Sequence, residues 1–176
     1  MQILVHVCCA PCFTYPHKRL LEEGYEITGL FYNPNIHPYT EYKNRLTSLE
    51  KYAEMKATKV IYKKYDMENY LHGALASDER CGFCYNYRLA EAARTARELG
   101  FDAFTTTLLI SPYQKHEMLA KVGEKIANEY GIEFYYEDFR EGYRESRELA
   151  RAFGLYMQKY CGCIFSEKER YENTGR

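Results

Sequence analysis

The sequence predicts a single α/β domain: a mostly parallel five-stranded sheet with helices on both faces, followed by a C-terminal Cys-x-Cys segment. Three observations predict it. Short β-branched runs alternate with segments of helical period along residues 1–176. Glycines close three of the helical segments, at Gly24, Gly100 and Gly131, just before the next β-rich run. No repeat, low-complexity stretch or linker breaks the alternation, and 176 residues suit one compact core.

Residues 2–7 (QILVHV) form the first predicted strand and lead straight into Cys8-Cys9-Ala10-Pro11-Cys12. A helix through Lys18-Arg19-Leu20-Leu21 stops at Gly24, and a second strand covers residues 27–32. Asn33-Pro34-Asn35-Ile36-His37-Pro38 is loop by its proline and asparagine content. The next helix carries Tyr42, Leu46, Leu49 and Tyr52 on one stripe, and residues 59–62 make the third strand. A helix over about residues 84–99 places Leu89, Ala92, Ala96 and Leu99 at helical spacing, and residues 103–107 are the fourth strand. Pro112 marks a turn; Met118, Val122, Ile126 and Tyr130 then recur every four residues, and residues 132–136 are the fifth strand. A last helix, about residues 144–153, delivers the chain to Cys161-Gly162-Cys163 and a short charged tail. Ligands bind such sheets beyond the carboxyl ends of the strands, so the first two cysteine groups are expected to converge there.

The seven cysteines fall into three tight groups: Cys8, Cys9 and Cys12; Cys81 and Cys84; Cys161 and Cys163. Structural cysteines scatter singly among core positions, whereas each of these has a neighbour within three residues. An odd seven in 176 residues is also too few for a disulfide-built scaffold. With no charged-then-apolar leader and no apolar run near the length of a membrane span, the expected location is the cytoplasm, where thiols stay reduced or bind metal. The formal charge of -1 announces no polyanion partner, although Lys18, Arg19, Lys43 and Arg45 are candidates for a local phosphate-binding patch. Nineteen tyrosines suit both core packing and stacking on unpaired bases.

Adjacent side chains of a continuing strand point to opposite faces, so Cys8 and Cys9 reach one centre only if the chain turns there. Ala10-Pro11 supplies such a break, and it puts Cys12 near the first turn of a helix, where the dipole favours thiolate. Cys81-x-x-Cys84 fits zinc, an iron–sulfur cluster or a dithiol. The vicinal pair favours a cluster, which offers separate irons to neighbouring thiolates, over one tetrahedral zinc; structural zinc stays open. Cys161-Gly162-Cys163 is too tight for an unstrained disulfide and suits a labile two-electron dithiol, with two further metal ligands as the alternative. Of the histidines, His6 is expected to pack within its strand, and His17, His37, His72 and His116 to lie at helix or loop surfaces. Thr105-Thr106-Thr107 is a candidate for a phosphate or sugar hydroxyl. Asp66 and Asp138 each follow a strand and are candidates for an oxygen ligand or a proton donor, or simply turn caps.

VHVCCAPC, FYNPNIHPYTEY, ERCGFC followed by YRLAEAA, FTTTLLISPYQ, EDFREGYRES and LGLYMQKYCGCIFS together closely resemble, in order, segments of the cobalamin-independent epoxyqueuosine reductases of the QueH type. The likeness covers nearly the whole chain. It implies a Rossmann-like or HUP-like sheet and the last step of queuosine synthesis, in which the epoxide of epoxyqueuosine at the tRNA wobble position is reduced to an alkene with loss of water. The implied partners are the tRNA anticodon loop carrying epoxyqueuosine and an electron donor of unspecified identity, with no membrane. The resemblance further implies a [4Fe-4S] cluster on Cys8, Cys9, Cys81 and Cys84, a redox-active disulfide at Cys161 and Cys163, and no cobalamin. It leaves Cys12 as the candidate ligand of one additional iron ion, with Asp66 or Asp138 beside it, and Asp138 or a tyrosine as the candidate acid. The chain departs from the family at Glu141, where a lysine is expected, which removes a positive charge from a candidate phosphate contact.

Two other functions fit parts of the pattern. A tRNA sulfur-transfer enzyme with a cluster would need a phosphate-gripping S-G-G-x-D-S loop after the first strand, where this chain has Cys8-Cys9-Ala10-Pro11-Cys12. A zinc-stabilised RNA-binding module would need no paired redox thiols.

Overall fold

In the computed structural model, which describes residues 1–172, five parallel strands form one sheet in the order β3-β2-β1-β4-β5. The strands are β1 (Gln2–His6), β2 (Glu26–Phe31), β3 (Lys59–Tyr62), β4 (Ala103–Thr106) and β5 (Glu133–Phe134). The helices are α1 (Ala10–Glu22), α2 (Tyr39–Lys56), α3 (Met67–Ala76), α4 (Arg80–Leu99), α5 (His116–Tyr130), α6 (Tyr143–Ala152) and α7 (Ile164–Glu172). Central β1 pairs Val5 with Gly29 of β2 on one side and with Thr105 of β4 on the other. Ile3, Leu4 and Val5 are fully buried, as a strand covered on both faces requires. α1 packs with α2 and α6, and α4 with α3 and α5. Each fully buried core side chain such as Leu4, Leu30 or Phe104 contributes about 1.5–3 kcal/mol.

From β1 the chain moves outward to β2 and β3, then returns across the sheet to β4 and β5. The loops after β1 and β4 therefore leave in opposite directions and open a crevice at the switch point. Cys8 follows β1 there, and Thr107 follows β4.

β5 keeps only Glu133–Phe134 of its expected residues 132–136, and three helices differ from the sequence expectation. α3 was not expected: only Tyr70 and Ala74 of its ten residues are buried, too few to write a helical stripe. α4 begins four residues earlier than expected, because Glu79 accepts a hydrogen bond from Cys81 N at 3.1 Å and caps it. Both Cys81 and Cys84 consequently lie at its start. α7 occupies most of the expected charged tail; none of its residues is buried, and Arg80 holds it through the Phe165 ring at 4.1 Å and Glu169 at 3.4 Å.

His17 and His37 are buried, contrary to the surface expectation. His17 Nδ1 meets the Tyr52 hydroxyl at 2.9 Å and its Nε2 meets the Thr58 hydroxyl at 3.0 Å. Burial, reinforced by the Lys56 charge, lowers its pKa to about 4. The folded chain thus keeps His17 neutral while the unfolded chain binds a proton below about pH 6.5. This contribution is complete above pH 6.5 and is lost as pH falls toward 4, at about 1.4 kcal/mol per pH unit. Urea midpoints measured at pH 7 and pH 5 are expected to fall with pH, and His17→Gln to flatten the dependence; an unchanged slope in that variant would refute the assignment.

Candidate metal centre

The turn that the vicinal cysteines require is present. Cys9 is the N-cap of α1, with φ -167° and ψ 159°, and its Sγ accepts a hydrogen bond from Cys12 N at 3.4 Å. Pro11 fits the first turn because no intrahelical acceptor awaits its missing N–H. The turn brings Cys8 Sγ to 3.8 Å from Cys9 Sγ and gathers the sulfurs of Cys8, Cys9 and Cys12 within 4.8 Å of one another. All three residues are buried. Among the described residues this is the group of three or more His, Cys, Asp or Glu side chains close enough to hold a metal ion.

Neighbouring groups are aimed at these sulfurs. The Thr107 hydroxyl accepts from Cys8 N at 3.0 Å and donates to Cys8 Sγ at 3.2 Å, since a hydroxyl is both donor and acceptor. Gln158 Nε2 donates to Cys9 Sγ at 2.9 Å and to Cys12 Sγ at 3.5 Å. Hydrogen bonds from Cys12 and Cys9, helped by the Arg88 charge and Thr107, hold the Cys8 thiol well below its usual range despite burial. Burial pushes Cys9 up, and Cys12 is pushed up chiefly by its hydrogen bond to Cys8. Three crowded, buried thiols resist becoming three thiolates unless a cation sits among them, so the donor set fits a metal or cluster.

A second group approaches on α4. Cys81, Cys84 and Arg88 stand at i, i+3 and i+7 on one stripe. Cys81 is exposed and Cys84 half-buried. Arg88 Nη1 donates to Cys84 Sγ at 3.7 Å and Nη2 to Asn33 Oδ1 at 2.7 Å, while Asn33 Nδ2 donates to the Val7 carbonyl at 2.8 Å. Arg88 thereby ties α4 to the loops after β1 and β2.

The third group lies on the loop after β2. Gly162 O accepts from His37 N at 2.8 Å, His37 Nδ1 accepts from Ile164 N at 3.2 Å, and the Tyr160 hydroxyl donates to the His37 carbonyl. Arg45 donates to the carbonyls of Cys161 at 2.8 Å and Tyr160 at 3.0 Å, and pairs with Glu41 at 2.8 Å. Gly162 has φ +149°, and Asn35, Ile36 and Arg45 lie 3.2–3.4 Å from where a Cβ would project, so the turn demands glycine. Cys161 Sγ accepts from Gln114 Nε2 at 3.3 Å, and Gln114 Oε1 accepts from the buried Tyr85 hydroxyl at 2.8 Å. Cys8 follows β1, Arg88 ties Cys84 to Asn33 and through it to the Val7 carbonyl, and Gly162 seats its two cysteine neighbours on the loop after β2, so the three cysteine groups border the carboxyl edge of the sheet.

The family profile described as Epoxyqueuosine reductase QueH matches residues 3–169. The chain belongs to the QueH family. Relatives named Epoxyqueuosine reductase QueH include one from Dehalococcoides mccartyi, 39% identical over 172 residues that cover 97% of this chain and 94% of the relative. Another, from Thermotoga maritima, is 37% identical over 183 residues covering 97% and 92%. Among solved structures, a predicted subunit of tRNA methyltransferase from Methanocaldococcus jannaschii shares the fold, with a TM-score of 0.57 and 15% identity over 86% of this chain and 74% of that one.

The QueH segments quoted from the sequence supply most of the site, but several expected residues have other occupations. Asp138 caps the turn before α6, accepting from Arg140 N at 3.1 Å and pairing with the Arg140 guanidinium at 2.6 Å. That pairing lowers its pKa to about 2 and favours the carboxylate. Asp66 precedes α3 and accepts from the Tyr87 hydroxyl at 3.0 Å. Neither aspartate joins the thiol group. The expected phosphate patch is largely spent: Lys18 pairs with Glu145 at 2.7 Å, Arg19 with Glu23 at 2.7 Å, and Arg45 is buried on Glu41. Thr106 serves His6, whose Nδ1 lies 2.9 Å from its hydroxyl, and Thr107 serves Cys8. Sequence reasoning missed Asn33, Arg88, Gln114 and Gln158. A signal for Arg88 existed, because a charged residue one turn after Cys84 interrupts the apolar stripe of Leu89, Ala92 and Ala96. No helix of the described residues is long and apolar enough to cross a membrane.

Proposed function

We propose that this chain reduces the epoxide of epoxyqueuosine at the tRNA wobble position to the alkene, releasing water, as family membership and the placement of three thiol groups along the carboxyl edge of the sheet support. The reaction consumes two electrons and two protons: both carbon–oxygen bonds break, an alkene forms and the oxygen leaves as water. Oxidation of the Cys161 and Cys163 thiols to a disulfide releases two electrons and two protons, which balances it. An external donor then returns the pair to thiols. The proposed cluster ligands are Cys8, Cys9, Cys81 and Cys84, with Cys12 left for one additional iron ion and no role for cobalamin. When bound, a [4Fe-4S] cluster supplies single-electron transfer. The chain's own contribution is placement. Thr107 and Gln158 orient the Cys8 and Cys9 sulfurs, Gln114 orients Cys161, and Arg45 fixes the backbone that carries the dithiol. Asp138, held as a carboxylate, leaves proton delivery to the dithiol and to neighbouring hydroxyls. The substrate places the work in the cytoplasm, with tRNA.

A zinc-stabilised RNA-binding module is the second reading, favoured by the sub-5 Å thiol trio, which suits zinc as well. Iron and sulfide quantitation after anaerobic purification separates the two, together with mass spectrometry of tRNA nucleosides after incubation with reductant. Iron and sulfide with conversion of epoxyqueuosine to queuosine is the expected outcome; stoichiometric zinc alone, or iron-loaded protein that leaves the epoxide intact, defeats the proposal. Cys8→Ala is expected to lose most of the bound iron.

A further inference from the structure

We infer that Arg88 is a positioning residue that supplies the counter-charge to the thiol-held centre and sets how readily that centre accepts an electron; the inference rests on the iron–sulfur reading above. Arg45 and Arg88 are the two largest fully buried side chains, each 1% exposed. Their surroundings differ in kind. Arg45 has Glu41 at 2.8 Å, whereas among the described residues no carboxylate stands within ion-pairing distance of Arg88. Arg88 instead spends its nitrogens on Asn33 Oδ1 and Cys84 Sγ, and its Nε has no partner.

A guanidinium does not shed its proton in a protein, so Arg88 cannot relieve the cost of burial by becoming neutral. A buried ion without a counter-charge is strongly unfavourable even after relaxation. The group within reach of Arg88 that can carry negative charge is a sulfur: Nη1 lies 3.7 Å from Cys84 Sγ, a proposed cluster ligand. Asn33, itself anchored on the Val7 carbonyl at 2.8 Å, keeps the fork from swinging away.

A thiolate-held centre that accepts an electron gains negative charge. A fixed cation in dry surroundings stabilises the reduced form more than the oxidised one, and a hydrogen bond to a ligand sulfur acts in the same direction. Arg88 therefore raises the electron affinity of the centre through its contact with Cys84. A solely structural arginine would affect folding and iron retention but leave the potential in place.

The test is a redox titration followed by electron paramagnetic resonance on iron-loaded native protein, Arg88→Gln, Arg88→Lys and Asn33→Ala. In Arg88→Gln the equilibrium constant for reduction is expected to fall at least tenfold, 59 mV for a one-electron couple. Arg88→Lys, which keeps the charge, is expected to recover most of that loss. Asn33→Ala keeps Arg88 but frees its fork, and a fall of about two- to fivefold is expected; it carries the test should Arg88→Gln fail to fold or hold iron. Potentials equal to native in Arg88→Gln, or in Asn33→Ala where that variant stands in, overturn the inference. A native protein with no reducible iron–sulfur signal would remove the cluster reading and this inference with it, whereas a native signal with unmoved potentials removes this inference alone.

Discussion

Cys161→Ala is expected to keep native amounts of iron and sulfide and to lose at least about a thousandfold in epoxide reduction, the scale seen when a residue central to the chemistry is deleted. The placement of the sulfur supports this. Cys161 is exposed, outside the buried trio of Cys8, Cys9 and Cys12, and its Sγ is held by Gln114. Losing it leaves the gathered thiols untouched while removing one partner of the two-electron couple proposed for Cys161 and Cys163. A residue held for chemistry should also tolerate no substitute: Cys161→Ser keeps the hydrogen bond from Gln114 but carries no redox capacity, so it is expected to be as inactive as the alanine variant. Iron, sulfide and tRNA nucleoside analysis on the same preparations check both. Iron lost from Cys161→Ala would make that sulfur a ligand, and turnover retained would remove the dithiol from the reaction.

Most of what places these thiols was legible in the chain, because it depends on local rules. β1 reads as a continuous apolar run since both its faces are covered, and Pro11 announces the turn that lets Cys8 and Cys9 face one centre. Gly162 announces a backbone position that a side chain would crowd. What was not legible depends on distance in space. Gln114 and Gln158 are ordinary polar residues until the fold sets them against Cys161 and Cys9, across 47 and 149 residues of chain. Asp138 and Asp66 follow strands, as candidate ligands would, yet their neighbours Arg140 and Tyr87 occupy them. α7 was hidden for another reason: with no buried residue, its sequence carries no stripe, and contacts with Arg80 hold it.

Arg45→Met is expected to lower stability by about 3–5 kcal/mol, the usual cost of removing one partner from a buried ion pair. For a chain of this size that is a fall in Tm of about 6–20 °C. The side chains of Arg45 and Glu41 are 1% and 8% exposed, so the loss strands a buried carboxylate whose remaining partner is the Tyr156 hydroxyl at 2.5 Å. Two backbone carbonyls, those of Tyr160 and Cys161, lose their donor at the same time. The double variant Arg45→Met, Glu41→Gln is therefore expected to be less destabilised than the sum of the two single variants, because no unpaired charge remains. Thermal melts of the three proteins measure this coupling, and strict additivity would show that the pair does not act as a unit. The functional consequence follows from the same bonds. Arg45 holds the backbone of the proposed dithiol at the Cys161 and Tyr160 carbonyls, so a folded Arg45→Met protein at low temperature should keep its iron yet reduce the epoxide more slowly. A native rate in that protein would mean that the His37 and Gly162 contacts alone suffice to place Cys161.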